Sequence, residues 1–320
     1  MNLGEGGRER VRSWSAEALE SRVVRYGDLI PCTNAFIDTR TPGSNAKENF
    51  TIIGPGVSEN PEQHVHITEA HGFNIGGARQ PPHCINSQHS HDTAEVFVVH
   101  SGRWRFTFGE HGEDAQVDAG PGDIVSFPIH AFRGFENVGE DTGFLWSVLG
   151  GDDPGRVLWA PRVFEMAAEY GLILLENGAL VDTTLGQTPP PGVKPMPVTS
   201  QEAIARLRTM RPEDEDEVIA RNPERAVSGE SLIIGVGGQL PAAEGFTVSR
   251  LILGANAAGA STALARPEVV FVQSGSAMVR TPEGTVNLGK GDTMTLPRGL
   301  ARSYSALGEG AELVMVRGTV

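Results

Sequence analysis

Cysteine is scarce: Cys32 and Cys84 are the only two in 320 residues. That excludes a disulfide-stapled scaffold and makes a reducing, cytoplasmic setting the simplest expectation. Positive charge is also short. With 26 Lys and Arg against 40 Asp and Glu, the formal net charge is −14, so the surface repels phosphate backbones and no nucleic-acid partner is expected. No apolar run approaches a membrane span, and the opening MNLGEGGRERVRSW has no apolar stretch of the kind a secretory signal needs. No membrane association is expected. A phosphate-cradling glycine loop, a nucleophile elbow and zinc-finger spacing are missing too. Ser87 and Ser90 lie near histidines but show no sign of an oxyanion site, so neither reads as a nucleophile.

What the chain does have is strand text. From FTIIG to FLWSVLGG, short alternating apolar runs are broken by Gly, Pro, Asn and Asp, with EVFVVHSGRWRFTFG and GDIVSFP the clearest strands. Residues 1–45 read as an arm packed on the body, with NAFID as a short strand at best. Residues 46–150 read as a first β-barrel and 231–320 as a second. Residues 151–230 form a proline-rich, partly helical connector. Within it PRVFEMAAEYG is a helix with Pro161 near its start and Gly171 past its end, and Thr199 and Glu202 are placed for a capping box. The acidic PEDEDE is a solvated turn or helix start.

The second barrel repeats the first. EVFVVHSG from Glu95 matches EVVFVQSG from Glu268, and GPGDIVSFPIHAFRGFENVGED matches GKGDTMTLPRGLARSYSALGEG. The offset is 173 at Glu95/Glu268 and Gly102/Gly275, and 169 at Gly122/Gly291, Pro128/Pro297 and Arg133/Arg302. A short deletion in a hairpin loop between the two blocks accounts for the difference, and one duplicated unit is the economical explanation.

His89 and His91 are two apart, so on a strand both imidazoles point to one face. A short turn lets Glu95 return toward that face. Two imidazoles and a carboxylate can hold a divalent ion with open positions, which suits Fe(II) and tolerates Mn, Ni or Zn. In the second barrel Thr262 and Leu264 stand at the histidine positions, so that half is expected to bind no metal. It keeps Glu268 and Arg302, which are expected to form a bidentate ion pair across the barrel interior. By analogy Glu95 and Arg133 can pair, leaving His89 and His91 too poor in ligands to hold a metal tightly. The metal site and the ion-pair barrel both stay open at this point. His83 and His130 are candidate replacement ligands or rim histidines, and His64 and His66 an ordinary same-face pair. Trp104, Phe106 and Phe108 are expected to face the core.

These residues resemble the cupin superfamily, and the duplication resembles a bicupin: two double-stranded β-helix (jelly-roll) barrels, all-β, with a partly helical linker. His89, His91, Glu95 and Gly102 fit the first cupin motif, with His83 where its leading Gly stands. Gly122, Pro128 and Asn137 fit the second, with His130 at a Gly position and Arg133 at the position of the last metal-binding His. The match spans roughly residues 80–150 and 250–317. Distant likeness to gentisate-dioxygenase-type bicupins implies a metal-dependent, dioxygenase-like oxidoreductase. Its metal, most simply Fe(II), would be held by His89, His91 and Glu95, with Arg133 and His130 as candidate catalytic residues on a small anionic substrate. The alternatives are a non-catalytic small-molecule-binding bicupin with a structural Glu95–Arg133 pair, and a metal-dependent isomerase or lyase. Exposed strand edges make a homo-oligomer the expected assembly.

Overall fold

Alternation along the strands decides which side chains line the barrels. The computed structural model describes residues 14–223, 227–259 and 261–319, so the opening segment of the expected arm lies outside the described residues. On strand Trp104–Phe108 the aromatic residues are buried and Arg105 and Thr107 turn outward, as the period-two pattern requires. Strands Glu95–Ser101 and Gly143–Gly150 are buried almost throughout, because one face looks into their own barrel and the other onto the second barrel.

In the N-terminal barrel a five-stranded sheet runs in the order Leu158–Trp159, Ile85–Ser90, Arg133–Asn137, Trp104–Phe108 and Ala115–Ala119. A seven-stranded sheet completes it in the order Ile219–Ala220, Ile124–Phe127, Glu95–Ser101, Gly143–Gly150, Phe73–Gln80, Glu48–Ile53 and Val65–Ile67. Phe97 of the second sheet packs on Phe106 and Phe135 of the first. In the C-terminal barrel the strands fuse. Glu268–Thr281 does the work of Glu95–Ser101 plus Trp104–Phe108, and Ala301–Gly318 that of Arg133–Asn137 plus Gly143–Gly150, with register shifts where the chain bends. The repeated glycine at that bend has a steric cause. Gly102 and Gly275 have φ of 87° and 72°, and a Cβ would meet Gly143 Cα at 2.7 Å in the first and Gly310 O at 2.1 Å in the second.

The arm and the connector are laid onto these barrels. Val23–Val24 pairs with Thr293 and Met294 of the C-terminal barrel. Residues 34–38, the NAFID segment, form a turn instead of the expected strand, because Thr39 N–H and Thr41 N–H bond back to Phe36 and Asp38 carbonyls. Helix Pro161–Glu169 starts on its proline, and Gly171 follows it with φ of 78°. The next helix, Gln201–Ile204, is capped by Ser200, not Thr199. The Thr199 hydroxyl is taken by the Trp159 carbonyl at 2.6 Å. The connector returns to the first barrel twice, as Leu158–Trp159 beside Ser90 and His89 and as Ile219–Ala220 beside Ile124 and Val125. Among the described residues no helix is long and apolar enough to cross a membrane.

The barrels share one core. Val96, Val98, Trp146 and Val148 pack against Val269, Phe271, Val314 and Val316. The Trp146 and Phe271 rings stack at 4.8 Å, Trp146 Nε1 donates to Thr293 Oγ1 at 3.1 Å, and Gln273 Nε2 donates to the Val99 carbonyl at 3.0 Å. Phe271→Ala should therefore cost about 3–5 kcal/mol and weaken both barrels together. Urea unfolding followed by tryptophan fluorescence and by circular dichroism should give coincident curves shifted to lower urea. A new transition confined to one half would show that the barrels are not coupled through this contact.

Candidate metal centre

The histidine strand fixes the first two groups. His89 lies on Ile85–Ser90 between Arg133 and Trp159 of the neighbouring strands, and His91 follows directly. Their rings sit 5.2 Å apart, both buried. Glu95 opens the next strand, and ligand atoms of His89, His91 and Glu95 all lie within 4.8 Å of one another. His91 Nε2 lies 3.7 Å from Glu95 Oε1, too long for a hydrogen bond and suited to two groups sharing an ion.

Both rings are set up as neutral ligands. His89 Nδ1 donates to the Ser87 carbonyl at 2.7 Å, which leaves Nε2 as the ring's free lone pair. Burial, then the Arg133 charge, push the His89 pKa down to about 3. Burial, Arg133 and His89 lower that of His91 too. Among the described residues His91 Nδ1 is buried without a hydrogen-bond partner, so no protein group fixes that ring's tautomer. The residues present fit a divalent ion held by two imidazoles and one carboxylate oxygen.

The carboxylate is divided between two tasks. Arg133 Nε and Nη2 both donate to Glu95 Oε2, at 3.0 and 2.7 Å, and Nη1 reaches the Ala131 carbonyl at 3.3 Å. The pair is therefore not the fork-on-fork arrangement expected from the sequence. Two nitrogens converge on one oxygen, and Oε1 is left facing His91. The guanidinium stacks over Phe127, fully buried behind the glutamate and absent from the cavity wall.

In the C-terminal barrel the same pair is closed. Arg302 Nε and Nη2 donate to Glu268 Oε1 at 3.0 and 2.8 Å, the Tyr304 hydroxyl donates to that oxygen, and Arg317 Nε donates to Oε2. The matching positions of the first barrel carry Phe135 for Tyr304 and Leu149 for Arg317; Leu149 is the register partner of Glu95 as Arg317 is of Glu268. Neither can donate. This difference, with Thr262 and Leu264 in place of the histidines, separates an open centre from a filled one.

The rim histidines stay outside. His130 N–H bonds to the His91 carbonyl at 3.1 Å in a turn with φ of 58°, while its ring, half exposed, lies 3.2 Å from Asp92 Oδ1. His83 is exposed beside Glu136, and His64 and His66 meet edge to face at the Val65–Ile67 edge. Support for His89 comes from residues that sequence patterning did not bring out. Lys47 Nζ, fully buried, pairs with Asp38 and donates to Asn86 Oδ1 at 2.9 Å, and the Ser87 N–H donates to Asp38 Oδ2 at 3.0 Å. Burial alone would raise the Asp38 carboxyl, but Lys47 and Ser87 hold it below the usual range. Trp159 packs on the His89 ring at 5.3 Å and donates from Nε1 to the buried Glu59 at 2.6 Å. Asp38 and Glu59 lie in loops without periodicity, so no pattern marks them.

The cavity above the three groups has a volume of about 70 Å³ and is walled by Phe36, Phe50, Val57, Phe97 and Trp159, with Asn49, Thr51, Gln63 and Asn86 as polar interruptions. Such a space suits a ligand the size of roughly half a dozen waters.

The Cupin domain family model matches residues 78–148, the stretch holding the three groups. Across 92% of the chain the fold matches oxalate decarboxylase of Lactobacillus farciminis in its formate complex, at 12% identity, 85% coverage of that chain and a TM-score of 0.57. A variant of Bacillus subtilis oxalate decarboxylase matches over the same share at 14% identity, 76% coverage and a TM-score of 0.56. No curated protein matches the sequence. Residues 78–148 are thus matched as a cupin domain, and the fold of the chain is that of two cupin barrels. Its two barrels, joined by helical segments, have the bicupin architecture that the oxalate decarboxylases share.

Two measurements probe this centre. Leu149→Arg should close the first barrel as Arg317 closes the second: the protein should stay folded by circular dichroism while bound Mn(II) or Co(II), measured by elemental analysis after dialysis, falls at least about tenfold. Undiminished metal would show that Glu95 Oε1 is not a ligand. Second, the unfolded chain protonates its histidines near 6.5, whereas buried His89 and His100 wait until about 3 and 4. Their stabilising effect is thus complete above pH 6.5 and is lost as pH falls through that window, by up to about 1.4 kcal/mol per pH unit for each ring. Urea midpoints of metal-free protein should drop between pH 7.5 and 5.5, and an unchanged midpoint would contradict the burial of neutral rings.

Proposed function

We propose that the N-terminal barrel is the active centre of a metal-dependent lyase acting on a small anionic substrate, with the C-terminal barrel as its metal-free companion. The observation that carries this is the divided carboxylate: Glu95 gives Oε2 to Arg133 and keeps Oε1 for an ion shared with His89 and His91. A divalent ion there supplies Lewis-acid polarisation of a bound carboxylate or carbonyl. Arg133 cancels the Glu95 charge, so a neutral set of protein groups leaves the ion's full charge to an anionic substrate. With that charge cancelled, the protein groups offer no net negative charge to stabilise a metal of higher charge. That weighs against the oxygen-activating oxidoreductase expected first from the sequence and favours chemistry at constant metal charge.

The bicupin likeness supports the same choice, since the matched structures are decarboxylases, one of them with formate bound. His89 and His91, fixed and neutral, hold the ion's position, while Phe36, Val57 and Trp159 keep bulk water away. Among the described residues the cavity wall carries no acid or base beyond the three candidate ligands, so a proton delivered to product comes from water. His130 and Arg133 are assigned no contact with substrate; Arg133 is a positioning residue for Glu95. Fe(II), Mn, Ni and Zn all suit this donor set. The ion pair between Glu95 and Arg133 also supports a second reading, a binding protein without turnover.

Metal-loaded protein incubated with small carboxylates under nitrogen and under air should release carbon dioxide at the same rate in both, with no oxygen consumed. His91→Ala should lose metal and turnover together. Oxygen uptake matching product would restore the oxidoreductase reading, and carboxylate binding with neither metal nor turnover would favour the binding protein.

A further inference from the structure

We infer that the substrate has one anionic end, placed at the metal position, and a neutral hydrogen-bonding group at its other end: a small carboxylate bearing an amide or hydroxyl, not a dicarboxylate with its second charge in the distal wall. This deepens the lyase reading and rests on it. The cavity wall contains no Lys or Arg among the described residues, and Glu95 is its only ionised side chain. The nearby cations are committed elsewhere. Arg133 spends its nitrogens on Glu95 and the Ala131 carbonyl, and Lys47 spends its ammonium on Asp38 and Asn86. A second carboxylate remote from the ion would be desolvated with nothing to pair it.

Neutral groups, by contrast, are waiting. Among the described residues Asn49, more than nine-tenths buried, has no hydrogen-bond partner for Nδ2, and Gln63 has none for Oε1. Both residues line the cavity, and each carries an amide atom that no described protein group satisfies, a donor on Asn49 and an acceptor on Gln63. Gln63 Nε2 is held by Thr51 Oγ1, which fixes its amide in place. An unsatisfied donor and an unsatisfied acceptor among the lining residues match a group that both accepts and donates, as a primary amide or an alcohol does. Unpaired polar groups of this kind reject ligands that cannot satisfy them. Phe36, Phe50 and Trp159 cover the carbon body between the two ends.

The test is a titration of the Co(II)-loaded full chain, read by the visible absorption of the ion, with three probes of equal chain length: succinamate, succinate and butyrate. Succinamate should bind at least about tenfold more tightly than either of the others. Its advantage over butyrate should vanish in Asn49→Leu, and in Gln63→Met, which lies on a partly exposed loop and serves if the first variant fails to fold. Succinate binding as tightly as succinamate would overturn the inference, as would an unchanged preference in both variants. A chain that takes up no Co(II), or takes it up equally with His91→Ala, would instead overturn the metal reading and this inference with it.

Discussion

Two guanidinium nitrogens gripping one carboxylate oxygen is the interaction on which both barrels are built. Arg133 holds Glu95 and Arg302 holds Glu268 with nearly the same distances. A buried ion pair of this sort adds little net stability, because desolvation offsets most of the attraction, yet breaking it leaves a charge stranded in the core. The pair therefore tolerates change around it better than loss of either member. Duplication has produced that outcome. The acid and the base stand in both halves, and what differs is the occupation of the carboxylate's other oxygen.

That difference gives the two barrels separate tasks. In the C-terminal barrel Tyr304 and Arg317 complete the coordination of Glu268, so a cluster of fixed donors takes the place an ion could fill. In the N-terminal barrel Phe135 and Leu149 withhold donors, and two neutral imidazoles face the free oxygen instead. The filled barrel still matters to the open one. It presents Phe271 and Thr293 to Trp146, on the strand that pairs with Glu95–Ser101, and so helps fix the carboxylate's backbone.

Much of this was readable in the sequence because it depends on short-range geometry. The alternation of Trp104, Phe106 and Phe108, the same-face placement of His89 and His91, and the glycine at the bend after each glutamate strand follow from the two-residue period and from backbone sterics. The duplication showed that Glu and Arg travel together. What stayed hidden depends on register between distant strands. Leu149 stands opposite Glu95 across a pairing that no local pattern specifies, so the missing partner of Arg317 could not be recognised. Asp38 and Lys47 gave no signal because turns and strand ends carry no periodicity, although they meet in the core behind His89. The NAFID turn and the Ser200 cap show the limit of local propensity, since backbone and side-chain partners decided both.

The buried charges of Asp38 and Lys47 bear on how the centre is kept rigid. His89 is fixed through its Nδ1 by the Ser87 carbonyl, Ser87 is fixed through its N–H by Asp38, and Asp38 is fixed by Lys47. Each link satisfies a buried polar group that would otherwise be stranded, so no link can relax without exposing the next. A centre lacking a third imidazole has fewer bonds to organise an incoming ion. Preorganisation of the two it has would then be the main means of holding an ion in place, and the fully buried Asp38–Lys47 pair supports that arrangement.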